Sequence, residues 1–183
     1  MNIVVLNGIP DGYISRMSGY VEELVEVLTA RGHRVNEFRL KEMKIQYCTG
    51  CFGCFVKTPG VCLIKDDAER VCREYIQSDL AIMASPVITG FTSALLKRVQ
   101  DRLIPAILPF VELIQGEFHH PARYDKLPRL GLLLEKGDDT DDEDIDIITS
   151  IYERMVINLH SELVFTRLTD EPVEETCHAI DHI

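Results

Sequence analysis

Apolar residues along this chain fall into two kinds of run. Ile3-Val4-Val5-Leu6, Leu80-Ala81-Ile82-Met83-Ala84, Leu130 to Leu134 and Leu163-Val164-Phe165 are short and nearly unbroken. Such runs are expected of strands buried on both faces. Ser85-Pro86 is expected to close the second of these runs. Between the runs, apolar residues recur at helical spacing. Met17, Val21, Leu24, Val25 and Leu28 share one face of a helix that starts near Ser15, and Gly32 is placed to end it. Asp66-Asp67 opens a second helix, with acid at its positive end. Ala68, Val71, Cys72, Tyr75 and Ile76 form the inner face of that helix. Further helices follow through Leu96, Val99 and Leu103, through Ile148, Tyr152, Val156 and Leu159, and through Val173, Cys177 and Ile180. Residues 34–40 alternate imperfectly and carry charge, as suits an edge strand.

Strands therefore alternate with helices five times. This predicts an α/β fold, a doubly wound five-stranded parallel sheet in the order 2-1-3-4-5 with right-handed crossovers. With 183 residues the chain is expected to form one domain, 1–183. Residues 105–128 hold Pro105, Pro109, Pro121 and Pro128, so this segment reads as a long irregular excursion. In an open sheet of this kind ligands bind beyond the carboxyl ends of the strands, where strand order reverses. Loops 7–18, 85–92 and 135–142 meet there. The first runs into a helix N-terminus, a natural seat for phosphate, with Ser15 and Ser18 as added donors. Each serine also reads as a plain helix N-cap.

Charge narrows the partners. Net charge is −11, and seven acidic residues lie between Asp138 and Asp146. Nucleic acid and anionic lipid are poor partners for such a chain. The acidic run lacks the glycine and ligand order of a calcium loop. Helix-start stabilisation and solvation explain it. No apolar run reaches bilayer-spanning length. The N-terminus turns at once into a strand-like run and does not read as a signal peptide, so a cytosolic (cytoplasmic) location with reduced cysteines is expected. His119-His120, beside Pro121, reads as a surface or interface pair.

The cysteines add chemistry. Four of the six lie in CTGCFGCFVKTPGVC, residues 48–62, at the spacing C-x2-C-x2-C-x7-C. Converging thiolates suit zinc or an iron–sulfur cluster. Zinc sites more often use two separate C-x2-C knuckles, whereas overlapping gaps look more like cluster ligation by Cys48, Cys51, Cys54 and Cys62. Gly50 and Gly53 fall in the gaps, where positive φ costs little. The same loop can exist without metal, its cysteines acting as small hydrophobes. Cys72 and Cys177 fall on inner helix faces and read as core.

At this point the chain resembles a family. NGIPDG after the first strand is similar to the phosphate loop of flavodoxin-like NAD(P)H-dependent FMN reductases. CTGCFGCFVKTPGVCLIKDD resembles the cysteine loop of their iron–sulfur flavoprotein branch, and ASPVITGFTSALLKRVQDR a third family segment. The likeness is good over roughly residues 1–104 and in outline beyond. It implies a flavodoxin-like fold and an FMN-dependent oxidoreductase or electron-transfer flavoprotein. It further implies NAD(P)H as donor, a [4Fe-4S] cluster on the four loop cysteines, and a redox partner or small-molecule acceptor. FMN would lie against Gly8, Ser15, Arg16, Ser18, Ser85, Pro86, Val87, Ile88, Thr89, Gly90 and Gly137. The family implies a homodimer or tetramer.

Several residues depart from the family pattern. Ile9 stands where serine is usual and Asp11 where arginine is usual. Met17 falls near the usual hydroxyl position, and Ile88 replaces a tyrosine beside the flavin. The loop EKGDDTDD is acidic instead of glycine-rich. Asp11 is expected to weaken phosphate binding. Two alternatives follow: a flavodoxin-like domain with a degraded flavin site that acts in assembly, or a zinc or thiol redox module. The apolar residues Ile107, Leu108, Phe110, Val111, Leu113, Ile114 and Phe118 predict that the excursion is buried against another subunit or folds back over its own sheet.

Overall fold

The computed structural model of the protein describes residues 1–183. Five long strands form its parallel sheet: β1 (Asn2–Asn7), β2 (Arg34–Arg39), β3 (Leu80–Ile88), β7 (Arg129–Glu135) and β8 (Leu163–Leu168). Their spatial order is β2-β1-β3-β7-β8, the expected 2-1-3-4-5 pattern. The charged strand β2 lies at an edge, as its composition requires.

Alternation along the strands divides the core in two. Ile3, Val5, Leu80, Ile82, Ala84 and Leu133 face α1 (Met17–Ala30) and α6 (Val173–Asp181). Val4, Leu6, Ala81, Met83, Leu130, Leu132 and Leu134 face α3 (Ala68–Gln77), α4 (Ala94–Asp101) and α5 (Asp142–Asn158). Cys177 is fully buried in the first layer, as expected. Gly131 lies under the Phe165 ring, and a Cβ there would come within 2.1 Å of it. The acidic run serves α5 directly. The Asp141 side chain accepts from the Asp144 N–H, while Asp144 accepts from the Asp141 N–H, a reciprocal cap.

Two segments differ from the sequence reading. The third strand does not close at Ser85-Pro86. It runs on to Ile88, turns at Thr89-Gly90 and pairs back as β4 (Phe91–Thr92). Thr89 and Gly90 have φ of 49° and 73°, the left-handed pair that a two-residue hairpin turn requires. Proline is tolerated within β3 because pairing with β1 ends at Ala84, so at Pro86 that side of the strand has no ladder partner.

The proline-rich excursion also has regular structure, a hairpin of β5 (Glu112–Ile114) and β6 (Glu117–His119). Arg123 fastens its base, donating to the Pro105 and Ile107 carbonyls. Ile107 is buried, and Leu108 and Ile114 are partly buried. Phe110, Val111, Leu113 and Phe118 are exposed. His120 ties the hairpin to α5: its N–H donates to Asn158 Oδ1, and its carbonyl lies 2.9 Å from His160 Nε2.

Candidate flavin site and cysteine loop

The three strand-end loops meet as expected, and a serine pair locks two of them together. Gly8 N–H donates to the Ala84 carbonyl at 2.8 Å, and the Gly8 carbonyl accepts from Ser93 Oγ at 2.6 Å. A Cβ on Gly8 would come within 2.9 Å of Ser93 Oγ and 3.0 Å of Leu96 Cβ, so glycine permits this approach. Ser85 lies beneath the hairpin turn, accepting from the Ser93 N–H and donating to the Pro86 carbonyl. Ser93 also caps α4. Gly8 and Ser85 are thus committed to the frame, while Ile88, Thr89 and Gly90 reach the surface above it. Gly137, from the loop after β7, approaches the same turn, its Cβ position 3.4 Å from the Val87 carbonyl. The hairpin turn and Gly137 form a platform of backbone at the mouth of the sheet.

The other end of the site is the start of α1. Ser15 is partly buried, while Arg16 and Ser18 are exposed. Ser15 Oγ accepts from the Met17 N–H at 2.9 Å. Glu135, the last residue of β7, reaches into this corner and is 8% exposed. Its Oε1 accepts from the Arg16 N–H at 2.9 Å and its Oε2 from the Ser15 hydroxyl. Asp11 is exposed on the preceding turn. The Tyr13 phenol is held above its ordinary value, by burial first and then by the charges of Glu135, Asp138 and Asp139. The corner is therefore acidic.

The cysteine loop has a firm stem and an open tip. Arg102, whose side chain is 2% exposed, donates to both oxygens of Asp66 and to the carbonyls of Gln46 and Ile64. One guanidinium thus joins the two ends of the loop. Asp66 also accepts from the Gln46 and Ala68 N–H groups. Burial alone would raise the Asp66 carboxyl, but these hydrogen bonds and the Arg102 charge overcome it and hold the group below its usual value.

Within the loop the positive backbone angles fall on Gly50, Phe52 and Gly60. Gly53 instead begins the short helix α2 (Gly53–Val56), and its missing side chain leaves room for Leu63. The expectation of positive φ at Gly53 is corrected accordingly. Cys48 and Cys51 are exposed, and Cys54 and Cys62 are half-buried. The Cys54 thiol is raised by burial and then by the charges of Cys62, Cys48 and Cys51, so all four lie in one neighbourhood. The donor set suits a cluster. The four sulfurs do not converge, however, and no group of three His, Cys, Asp or Glu side chains has a metal-holding arrangement.

Cys72 is not fully core. It is half-buried and lines a cavity of about 240 Å³ with Cys62, Arg102 and Tyr124. Burial pushes its thiol up to about 11. Cys51 is lowered, chiefly by the Gly53 backbone N–H and then by Thr49.

Residues 1–144 match the NADPH-dependent FMN reductase family, a stretch that includes all three strand-end loops and the cysteine loop. The chain belongs to this family. An iron–sulfur flavoprotein of Archaeoglobus fulgidus is 33% identical over 105 residues, covering 57% of this chain and 46% of that protein. An iron–sulfur flavoprotein of Methanocaldococcus jannaschii is 26% identical over 138 residues, covering 75% of this chain and 63% of that protein. The chain spans about half the length of the curated relatives it matches. An FMN-dependent NADH-azoreductase from Bacillus anthracis, solved in complex with FMN, shares the fold with a TM-score of 0.61 at 12% identity. That match covers 99% of this chain and 94% of the azoreductase. No helix of this FMN reductase family member is long and apolar enough to cross a membrane.

Two residues that organise these sites carry no motif. Glu135 and Arg102 each border an apolar run, Glu135 after Leu132-Leu133-Leu134 and Arg102 before Leu103-Ile104. A charge at the end of a buried run is the signal that could have marked both.

Proposed function

We propose that this protein is an FMN-dependent oxidoreductase that takes reducing equivalents from NAD(P)H and passes them to a small-molecule acceptor or redox partner. The family match over all three strand-end loops carries this reading. Bound FMN supplies hydride and single-electron chemistry. The chain's part is to place it. The backbone of Pro86, Val87, Ile88, Thr89 and Gly90 offers a rigid edge for the ring, held from below by Ser85 and Ser93. Gly137 borders that edge without a side chain to block it. Ser15, Arg16 and Ser18 lie where the flavin tail would end. No side chain at the mouth need act as an acid or base.

The four loop cysteines, Cys48, Cys51, Cys54 and Cys62, are the residues we assign to a [4Fe-4S] cluster. Their spacing and the iron–sulfur flavoprotein relatives support the assignment. Binding requires the loop tip to close while the Arg102 stem stays in place.

Anaerobic reconstitution with FMN, iron and sulfide, followed by addition of NADPH or NADH, tests this reading. We expect bound flavin absorbance that bleaches with the nicotinamide, and about four irons per chain. Protein that stays colourless with FMN would end the oxidoreductase reading. Flavin binding without iron would end only the cluster assignment.

A further inference from the structure

We propose that Glu135 is a built-in occupant of the seat for the flavin's phosphate, so that the site holds riboflavin as readily as FMN. This rests on the flavin reading above. The start of a helix offers unpaired N–H groups and a positive dipole end, which together attract an anion. Here an anion is already present. The Glu135 carboxylate is 8% exposed, accepts the Arg16 N–H at 2.9 Å and accepts the Ser15 hydroxyl. Ser15 Oγ in turn accepts the Met17 N–H. Two N–H donors at the entrance of α1, those of Arg16 and Met17, and the Ser15 hydroxyl are therefore spent on the protein's own side chains, which leaves the Ser18 and Gly19 N–H groups.

The register explains why. Glu135 pairs with Pro86 across β3 and β7, so its side chain starts level with the platform on which the ring would lie. It reaches from there to the tail end of the site. Lys136 pairs with Asp142, and Arg16 contributes its backbone N–H to Glu135. Asp138 and Asp139 add negative charge near the same corner, as Tyr13 reports.

A phosphate entering this corner would meet a like charge and would have to displace Glu135 to reach the Arg16 N–H and the Ser15 hydroxyl. A terminal ribityl hydroxyl meets a ready acceptor, because a neutral hydroxyl can donate to a carboxylate. Glu135 thus discriminates at one end of the flavin and leaves the ring end untouched. If Glu135 served only to cap α1, its removal would lower stability and leave the preference between the two flavins unchanged.

The test is fluorescence titration of FMN and of riboflavin into wild type, Glu135→Gln and Glu135→Ala. Glu135→Gln keeps the size of the side chain and an acceptor for the Arg16 N–H. Glu135→Ala empties the seat. Wild type should bind the two flavins within about threefold of each other. In either variant FMN should tighten by about tenfold or more, the size of one charge-assisted contact, and riboflavin should change less than about threefold. The proposal is overturned if wild type prefers FMN by more than tenfold, or if the variants leave the ratio unchanged. The wild-type ratio decides alone should neither variant fold. If no flavin binds any of the three proteins, the flavin reading falls as well; if both bind with an unaltered ratio, only the role of Glu135 falls.

Discussion

The mouth of the sheet and the cysteine loop solve opposite problems. At the mouth, short turns use up their own polar groups: Gly8, Ser85, Ser93, Ser15 and Glu135 are hydrogen-bonded to one another's loops. A ligand there meets a largely finished surface, with the Ser18 and Gly19 N–H groups left to donate. The cysteine loop is long, its tip presents thiols, and its order is concentrated in a stem around Arg102. A ligand there must complete the fold of the tip. The contrast teaches that a preorganised site chooses among ligands, whereas an open loop anchored at its stem can be shaped by one.

The largest effect should come from breaking the stem. Arg102→Ala leaves the Asp66 carboxylate buried without its partner and should cost about 3–5 kcal/mol, read as a drop in thermal or denaturant midpoint. The same pair gives a pH dependence. Asp66 is held below its unfolded value, so its stabilisation is present above about pH 4 and is lost as pH falls through the lower folded value. An acid titration of stability in wild type but not in Asp66→Asn should show this loss. An Arg102→Ala variant as stable as wild type would show that the stem is not a clamp.

The next effect sharpens the difference between loop tip and core. Cys51 is exposed with a lowered thiol, and Cys72 is raised to about 11. At pH 8, alkylation of Cys51 should exceed that of Cys72 by about a hundredfold or more, because the thiolate is the nucleophile. Mass spectrometry of timed iodoacetamide reactions measures it, and equal rates would contradict the placement of Cys72.

Assembly comes third. Phe118 and Phe110 are 80% and 65% exposed on the excursion hairpin, beside the cysteine loop through the Phe55–His120 ring contact at 5.8 Å. We expect a dimer by light scattering at micromolar concentration and a shift to monomer in Phe118→Asp. A wild-type monomer would mean that the hairpin does not carry a subunit contact.

The smallest effect lies in the core. The Tyr75 hydroxyl is fully buried with no hydrogen-bond partner, and burial drives its phenol upward. Tyr75→Phe should raise stability by about 1 kcal/mol, since the hydroxyl is desolvated without compensation. A loss of that size would imply a partner for the hydroxyl.

Much of the fold was legible because buried parallel strands and amphipathic helices leave strong periodic marks. Leu130 to Leu134 and the 17–28 stripe read directly as β7 and α1. The extension of β3 past Pro86 was hidden because proline is a breaker in isolation and harmless where it costs the ladder no needed N–H. The site was legible as three loops from topology alone. Its internal wiring was not, because Glu135 and Ser15 are 120 residues apart and Arg102 and Asp66 are 36 apart. Contacts at such separations depend on register and side-chain reach, which no local pattern records.

Amide chemical-shift mapping with added FMN tests most directly where the flavin sits. The expected result is that Val87, Ile88, Thr89, Gly90 and Gly137 shift together, with Arg16 and Met17 following more strongly in Glu135→Gln than in wild type. Residues around the cavity of Cys62, Cys72 and Tyr124 should stay in place. Shifts confined to that cavity and to the cysteine loop, with the strand-end loops silent, would contradict the placement of the flavin at the mouth of the sheet.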